Sequence, residues 1–250
     1  MKCLASAIVA AALSEVGYCE KDSNKKLEET IGDAGDGNFT KYAAYIDTNF
    51  PSFYNGRKQG FAWCDVFVDY LFLKCFGYEN ALRLLCQPEK STGAGCTYSR
   101  AFYQSAGRLS EKPEVGAQIF FYDKNNRKRI AHTGIVISFD ATTVYTVEGN
   151  TSNKVGKRSY KLDDNSIAGY GVPAYDSETD LADVDTVAKQ VIAGVWGNGE
   201  ERKTRLTLAG YSYEEVQAVV NALMNAQAPN EKVKEIYIPK TVEKLIIHIQ

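Results

Sequence analysis

The chain has 250 residues, 44% of them hydrophobic and 24% charged, with a formal net charge of −2. This is globular composition, and the length suits one large domain or one large and one small. The near-neutral balance and the lack of any basic run argue against nucleic acid or an anionic membrane surface as partner.

In chain order, Lys2 and the apolar run from residue 3 to 13 fit either a short secretory signal or an amphipathic first helix. The run is too short to span a bilayer. Its pattern continues through Ser14, Glu15 and Val16 to a C-terminal stop at Gly17, which favours the helix. A polar, Gly-rich stretch (IGDAGDGN) follows, then a helix around residues 40–47. Residues 64–76 read as a largely buried helix carrying Val66, Phe67, Tyr70, Leu71 and Leu73.

Beyond Pro113 the character changes. Residues 118–122, 132–139 and 143–148 are short runs rich in Ile, Val, Thr and aromatics, separated by Gly, Asp, Asn and Lys clusters, as strands are. Helices first and strands afterwards predict an α+β domain with an antiparallel sheet over residues 1–176. A polar linker is expected at 177–182.

Residues 183–225 return to helical periodicity, with Val184, Val187, Ala188, Val191 and Ile192 spaced i, i+3, i+4. A second short helix should start after Asn198, its positive end matched by Glu200 and Glu201. Ser212 and Glu215 form a capping-box pattern ahead of a third. Three such helices make a very small bundle. Residues 226–250 fit a hairpin, an oligomerisation segment or the start of a further element.

The cysteines are Cys3, Cys19, Cys64, Cys75, Cys86 and Cys96, too few for a disulfide scaffold. Most should be buried small hydrophobes, and a Cys86–Cys96 bridge is compatible with the sequence. Two histidines, His132 and His248, with no His-Glu-x-x-His pattern leave a zinc peptidase without its usual ligands. No Gly-x-Ser-x-Gly elbow, phosphate loop or dinucleotide-binding glycine pattern is present.

Cys64 stands at the predicted start of a buried helix, where the helix dipole would stabilise a thiolate. The other reading is a core cysteine. His132 is the one histidine in the predicted α+β domain and the only conventional base there for a cysteine nucleophile; the other reading is a structural histidine at a strand edge. Alternation along AHTGIVISF places His132 and Gly134 on one face. Glu148 and Asn150 in TVEGN point to one side of an extended backbone, and either could orient the imidazole. Alone, that segment reads equally as a plain turn.

The order FAWCDVFVDYLF, AHTGIVI, VYTVEGNTS, IAGYGVPAYD resembles the CHAP domains of phage and gut-bacterial endolysins, the cysteine, histidine-dependent amidohydrolase/peptidases. The resemblance covers nearly all of residues 1–176. It implies a papain-like fold, Cys64 as nucleophile, His132 as base and Glu148 as orienting acid, with Asn150 as support or alternative. Many relatives carry a glutamine just before the cysteine, where this chain has Trp63, and Gln59 is not an aligned substitute. Some relatives bind calcium through an acidic loop ahead of the cysteine; the stretch YNGRKQGFAW has no carboxylate, and Asp33 and Asp36 are the nearest acidic residues. No cofactor is expected.

Residues 184–225 resemble, independently, the short cell-wall-binding repeats of some phage lysozymes, with Trp-Gly-Asn-Gly and Ala-Gly-Tyr-x-Tyr elements. That likeness implies a three-helix bundle binding the muramyl-peptide part of peptidoglycan. Trp196, Tyr211 and Tyr213 would stack on sugar and Arg202 would pair a carboxylate, although Trp196 and Tyr211 also fit as bundle core. Together the two likenesses imply a peptidoglycan amidase or endopeptidase, made in a host cytoplasm and acting on the wall after phage-mediated release. A noncatalytic wall-binding protein and a cysteine peptidase acting on proteins are the alternatives.

Overall fold

The computed structural model describes residues 2–88, 94–177 and 182–227. Five helices come first: α1 (Ala5–Ser14), α2 (Lys41–Asn49), α3 (Cys64–Phe76), α4 (Tyr78–Leu84) and α5 (Cys96–Ser105). Six strands follow: β1 (Leu109–Ser110), β2 (Gln118–Tyr122), β3 (Ile130–Phe139), β4 (Thr143–Glu148), β5 (Gly156–Lys161) and β6 (Ile167–Gly171). They form one antiparallel sheet in the order β1-β6-β2-β3-β4-β5, so β2 and β3 lie at its centre. This is the α+β architecture expected from the sequence.

The apolar run forms helix α1 from Ala5. Leu4, Ala7, Ile8 and Ala12 are buried in the main core, and the Cys3 backbone N–H donates to Asp176 Oδ2 at 2.7 Å. Every residue of α3 except Lys74 is buried. The helix is mostly apolar, as a core position demands, with Asp65 and Asp69 its buried polar residues, and Gly77 ends it with φ +75°.

One face of the sheet, through Ile135 and Val147, joins the helical core. The other, through Ile119, Phe121, Val136, Val144 and Tyr170, makes a second cluster. Alternation along β3 therefore holds as far as Ile137, where the register with β4 shifts.

Three further helices, α6 (Val184–Ile192), α7 (Gly199–Leu208) and α8 (Tyr213–Gln227), bury Val187, Ala188, Val191, Leu206, Val216 and Val220 together. Asp183 caps α6 by accepting from the Thr186 N–H at 2.8 Å. Ser212 Oγ accepts from the Glu215 N–H at 3.2 Å, the backbone half of the expected capping box. Residues 178–181, most of the expected linker, and 228–250, nearly all of the ambiguous tail and His248 with it, lie outside the described residues.

Candidate active site

Cys64 is the first residue of α3, and Trp63 holds it there. The Trp63 ring is fully buried, its indole N–H donates to Glu20 Oε2 at 2.6 Å, and its carbonyl accepts the first helical bond from the Phe67 N–H. The sulfur therefore sits where unpaired helix amides point, and the Asp65 backbone N–H donates to it. Cys64 is buried, 8% exposed.

His132 approaches from β3. One ring nitrogen, Nε2, lies 2.8 Å from Glu148 Oε2, and the imidazole reaches the Cys64 sulfur. With Nε2 engaged by the carboxylate, Nδ1 is the nitrogen left to exchange a proton with the thiol. Glu148, only 1% exposed, is itself held: Thr146 Oγ1 donates to Oε1 at 2.6 Å and the Tyr160 hydroxyl to Oε2 at 3.2 Å.

Gly134 makes the His132–Glu148 pairing sterically possible. A Cβ there would come within 2.4 Å of Glu148 Cγ, so the carboxylate arm crosses the space that a side chain would fill.

Asn150 does not join this group. It leaves the strand in the left-handed region, φ +52°, which ends the alternation on which its placement beside Glu148 rested. Its amide donates instead to Asn38 Oδ1 at 3.3 Å. Among the described contacts, Glu148 rather than Asn150 is the carboxylate or amide that meets the imidazole. Gln59 is likewise committed elsewhere, accepting from the Thr40 N–H and donating to Asn24.

The electrostatics follow from the contacts. The Cys96 thiol, whose sulfur lies 3.5 Å from that of Cys64, lowers the Cys64 pKa most; burial opposes it, and His132 adds to the lowering. The net effect holds Cys64 well below the ordinary thiol range. Burial works against a charged His132, but the bonds to Cys64 and Glu148 outweigh it and push its pKa up to about 9. A thiolate beside an imidazolium is the resting pair these shifts favour.

Sequence reading missed Cys96 and Asp65. Cys96 is a free thiol, as is Cys86, so the compatible Cys86–Cys96 bridge is not formed. Asp65 is buried beside the nucleophile, and burial raises its pKa to about 6. It accepts from the Gly95 N–H, Ser99 Oγ and Gln118 Nε2. A carboxylate following the cysteine in a buried helix was the available signal. For a hard cation the donors do not converge: Asp33 accepts from Ser23 Oγ, and among the described residues no group of three or more His, Cys, Asp or Glu side chains could hold a metal ion.

In the small bundle, Trp196 and Tyr211 pack half-buried against the core, their rings 5.9 Å apart. Arg202 is spent inside the unit, donating to the Gly197 carbonyl, Asn198 Oδ1 and Gln217 Oε1. Tyr213 lies under Lys203, with Nζ 5.8 Å from the ring centroid.

Fold and site together have the layout of the papain-like class: a cysteine heading a buried helix, faced by a histidine–carboxylate pair on an antiparallel sheet. More narrowly, residues 56–150 match the CHAP domain and residues 185–224 match the CW_7 repeat. The lysozyme of Streptococcus phage Cp-7 is 47% identical over 47 residues, which is 19% of this chain and 14% of that protein. The chain thus spans only a small part of the relative it matches. No solved structure matches the chain.

Proposed function

We propose that this chain is an endolysin-type peptidoglycan hydrolase in which the Cys64 thiolate attacks an amide carbonyl carbon of the wall peptide. The observation that carries this reading is the Cys64–His132–Glu148 arrangement at the N-terminus of α3. In the first step the C–S bond forms and the carbonyl oxygen takes the negative charge, facing the Cys64 backbone N–H. His132, oriented by Glu148, gives its proton to the leaving amine, and the C–N bond breaks. Water, deprotonated by His132, then attacks the thioester and releases the acid and the thiolate.

The wall as substrate is supported by the CW_7 repeat behind the CHAP domain and by a phage lysozyme among the relatives. The bundle would hold the enzyme on its insoluble substrate by raising local concentration. The partly exposed rings of Trp196, Tyr211 and Tyr213 are its candidate sugar contacts, whereas Arg202 serves mainly to brace the bundle. Among the described residues no helix is long and apolar enough to cross a membrane. Access to the wall would come by phage-mediated release from the host cytoplasm.

The test is mass spectrometry of purified peptidoglycan digested with the protein or with Cys64→Ala. Peptides released only by the intact thiol support the mechanism. A new amino terminus at the first alanine of the stem identifies an amidase, and one within the stem or bridge an endopeptidase. Equal digestion by the variant would remove Cys64 as nucleophile. Digestion of no wall type, with binding retained, would leave a wall-binding protein.

A further inference from the structure

Cys96 takes no covalent part in the hydrolysis described above, yet its position is fixed from two sides. On one, the Asp65 carboxylate accepts from the Gly95 N–H and from Ser99 Oγ, both at 2.8 Å, tying the start of α5 to the residue after Cys64. On the other, Thr97 Oγ1 exchanges hydrogen bonds with the Ile130 carbonyl and N–H at the start of β3. Between these anchors the Cys96 sulfur stands 3.5 Å from the Cys64 sulfur. A disulfide requires about 2.0 Å, so closing the pair needs a displacement of only about 1.5 Å. Cys86 packs at the rim of the same cluster but makes no bond to either sulfur among the described contacts.

The two thiols differ in kind. Both are buried, but Cys64 is drawn toward the thiolate, whereas Cys96 is kept protonated by its bond to Cys64 and by burial. A reactive thiolate with a second thiol in contact is the arrangement of a peroxide-sensitive cysteine and its resolving partner.

We propose that Cys64 and Cys96 form a reversible oxidation site at which a hydroperoxide converts the nucleophile to a disulfide. The Cys64 thiolate attacks one peroxide oxygen; the S–O bond forms, the O–O bond breaks, and hydroxide leaves as water with the proton held by the His132 imidazolium, giving a sulfenic acid. The Cys96 sulfur then attacks the sulfenic sulfur, its proton joining the departing hydroxide as water. In sum, two thiols lose two electrons and two protons, and one hydrogen peroxide becomes two waters. A dithiol reverses the step by exchange. The disulfide removes the nucleophile from hydrolysis but shields it from irreversible oxidation to sulfinic and sulfonic acids.

The inference rests on Cys64 being the reactive thiol of the proposed hydrolase, but its direct readout is a mass rather than an activity. The full chain is treated with graded hydrogen peroxide, its remaining thiols are alkylated, and it is digested without reduction for mass spectrometry. The expected product joins the Cys64 and Cys96 peptides, lighter by two hydrogens than their sum. Peptidoglycan release, measured relative to each protein's untreated rate, should fall on oxidation and return with dithiothreitol. In Cys96→Ala and Cys96→Ser the linked peptide should be absent, Cys64 should advance to the sulfinic and sulfonic acids, and the loss should be permanent. A Cys64–Cys86 link, or a wild-type Cys64 over-oxidised as fast as in the variants, would overturn the proposal. So would a Cys64 that peroxide leaves unmodified. Formation of the Cys64–Cys96 link in a protein that digests no peptidoglycan would sink the proposed hydrolysis and leave the oxidation site standing.

Discussion

At Cys64 a single sulfur collects donors from three elements: the Cys96 thiol on α5, the imidazole on β3 and a backbone N–H on its own helix. The pH profile follows from their shifts. The active form requires Cys64 deprotonated, which its depressed pKa permits well below pH 9, and His132 protonated, which holds up to about pH 9. Going down in pH, activity is lost when the thiolate gains its proton; going up, it is lost when the imidazolium gives its proton away. The expected kcat/KM profile is therefore a broad plateau through neutrality with an alkaline limb near pH 9. Iodoacetamide should alkylate Cys64 rapidly at pH 6, and His132→Ala should move that reactivity toward the ordinary thiol range. An alkylation rate at pH 6 no greater than that of free cysteine would contradict the thiolate assignment. His132 was legible as the one histidine in the domain, and Cys64 because it opens the helix whose start the sequence shows. Cys96 was not legible. Its meaning depends on a contact 32 residues away and on a helix start that a Gly-rich approach (TGAG) hides.

At the level of elements, two glycines set how closely strand and helix approach the site. Gly134 leaves the channel through which Glu148 reaches His132, and a Cβ at Gly149 would press within 2.5 Å of Phe67 and 2.8 Å of Trp63. Gly134→Ala should push the carboxylate off the imidazole. A misplacement of this kind costs about 10²-fold in rate, seen chiefly in kcat, with a loss of about 1–3 kcal/mol in stability from overpacking. Steady-state kinetics beside denaturant melts will separate the two, and an unchanged kcat would mean Glu148 does not orient the base. Strands β2, β3 and β4 and helix α3 were readable because both their faces or one clear face is apolar. Strand β5 (GKRSYK) was not: it lies at the sheet edge, where charged residues suit an exposed strand but erase its hydrophobic signature. Strand β6 (IAGYG) hid behind its glycines, one of which, Gly171, lets Tyr103 of α5 pack flat against the sheet.

Across the whole molecule the division of labour is testable by truncation. Ending the chain after residue 177 should leave hydrolysis of soluble muropeptides nearly intact while abolishing sedimentation with purified walls. Loss of both activities would show that the bundle supports the catalytic fold rather than delivering it. The return from strand alternation to helical spacing after residue 183 was visible in the sequence, and Ser212 caps its helix where the pattern placed it; the cap at Asp183 was not read there. One feature of the larger part bears on how it can be handled. Cys3 and Asp176 exchange two bonds, the Asp176 N–H donating to the Cys3 carbonyl and the Cys3 N–H to the Asp176 carboxylate. The first and last turns of the catalytic unit therefore meet at one spot, which makes it a closed cassette. Such a unit can be spliced into an exposed loop of a host protein, or its ends joined and reopened elsewhere, without pulling the active centre apart.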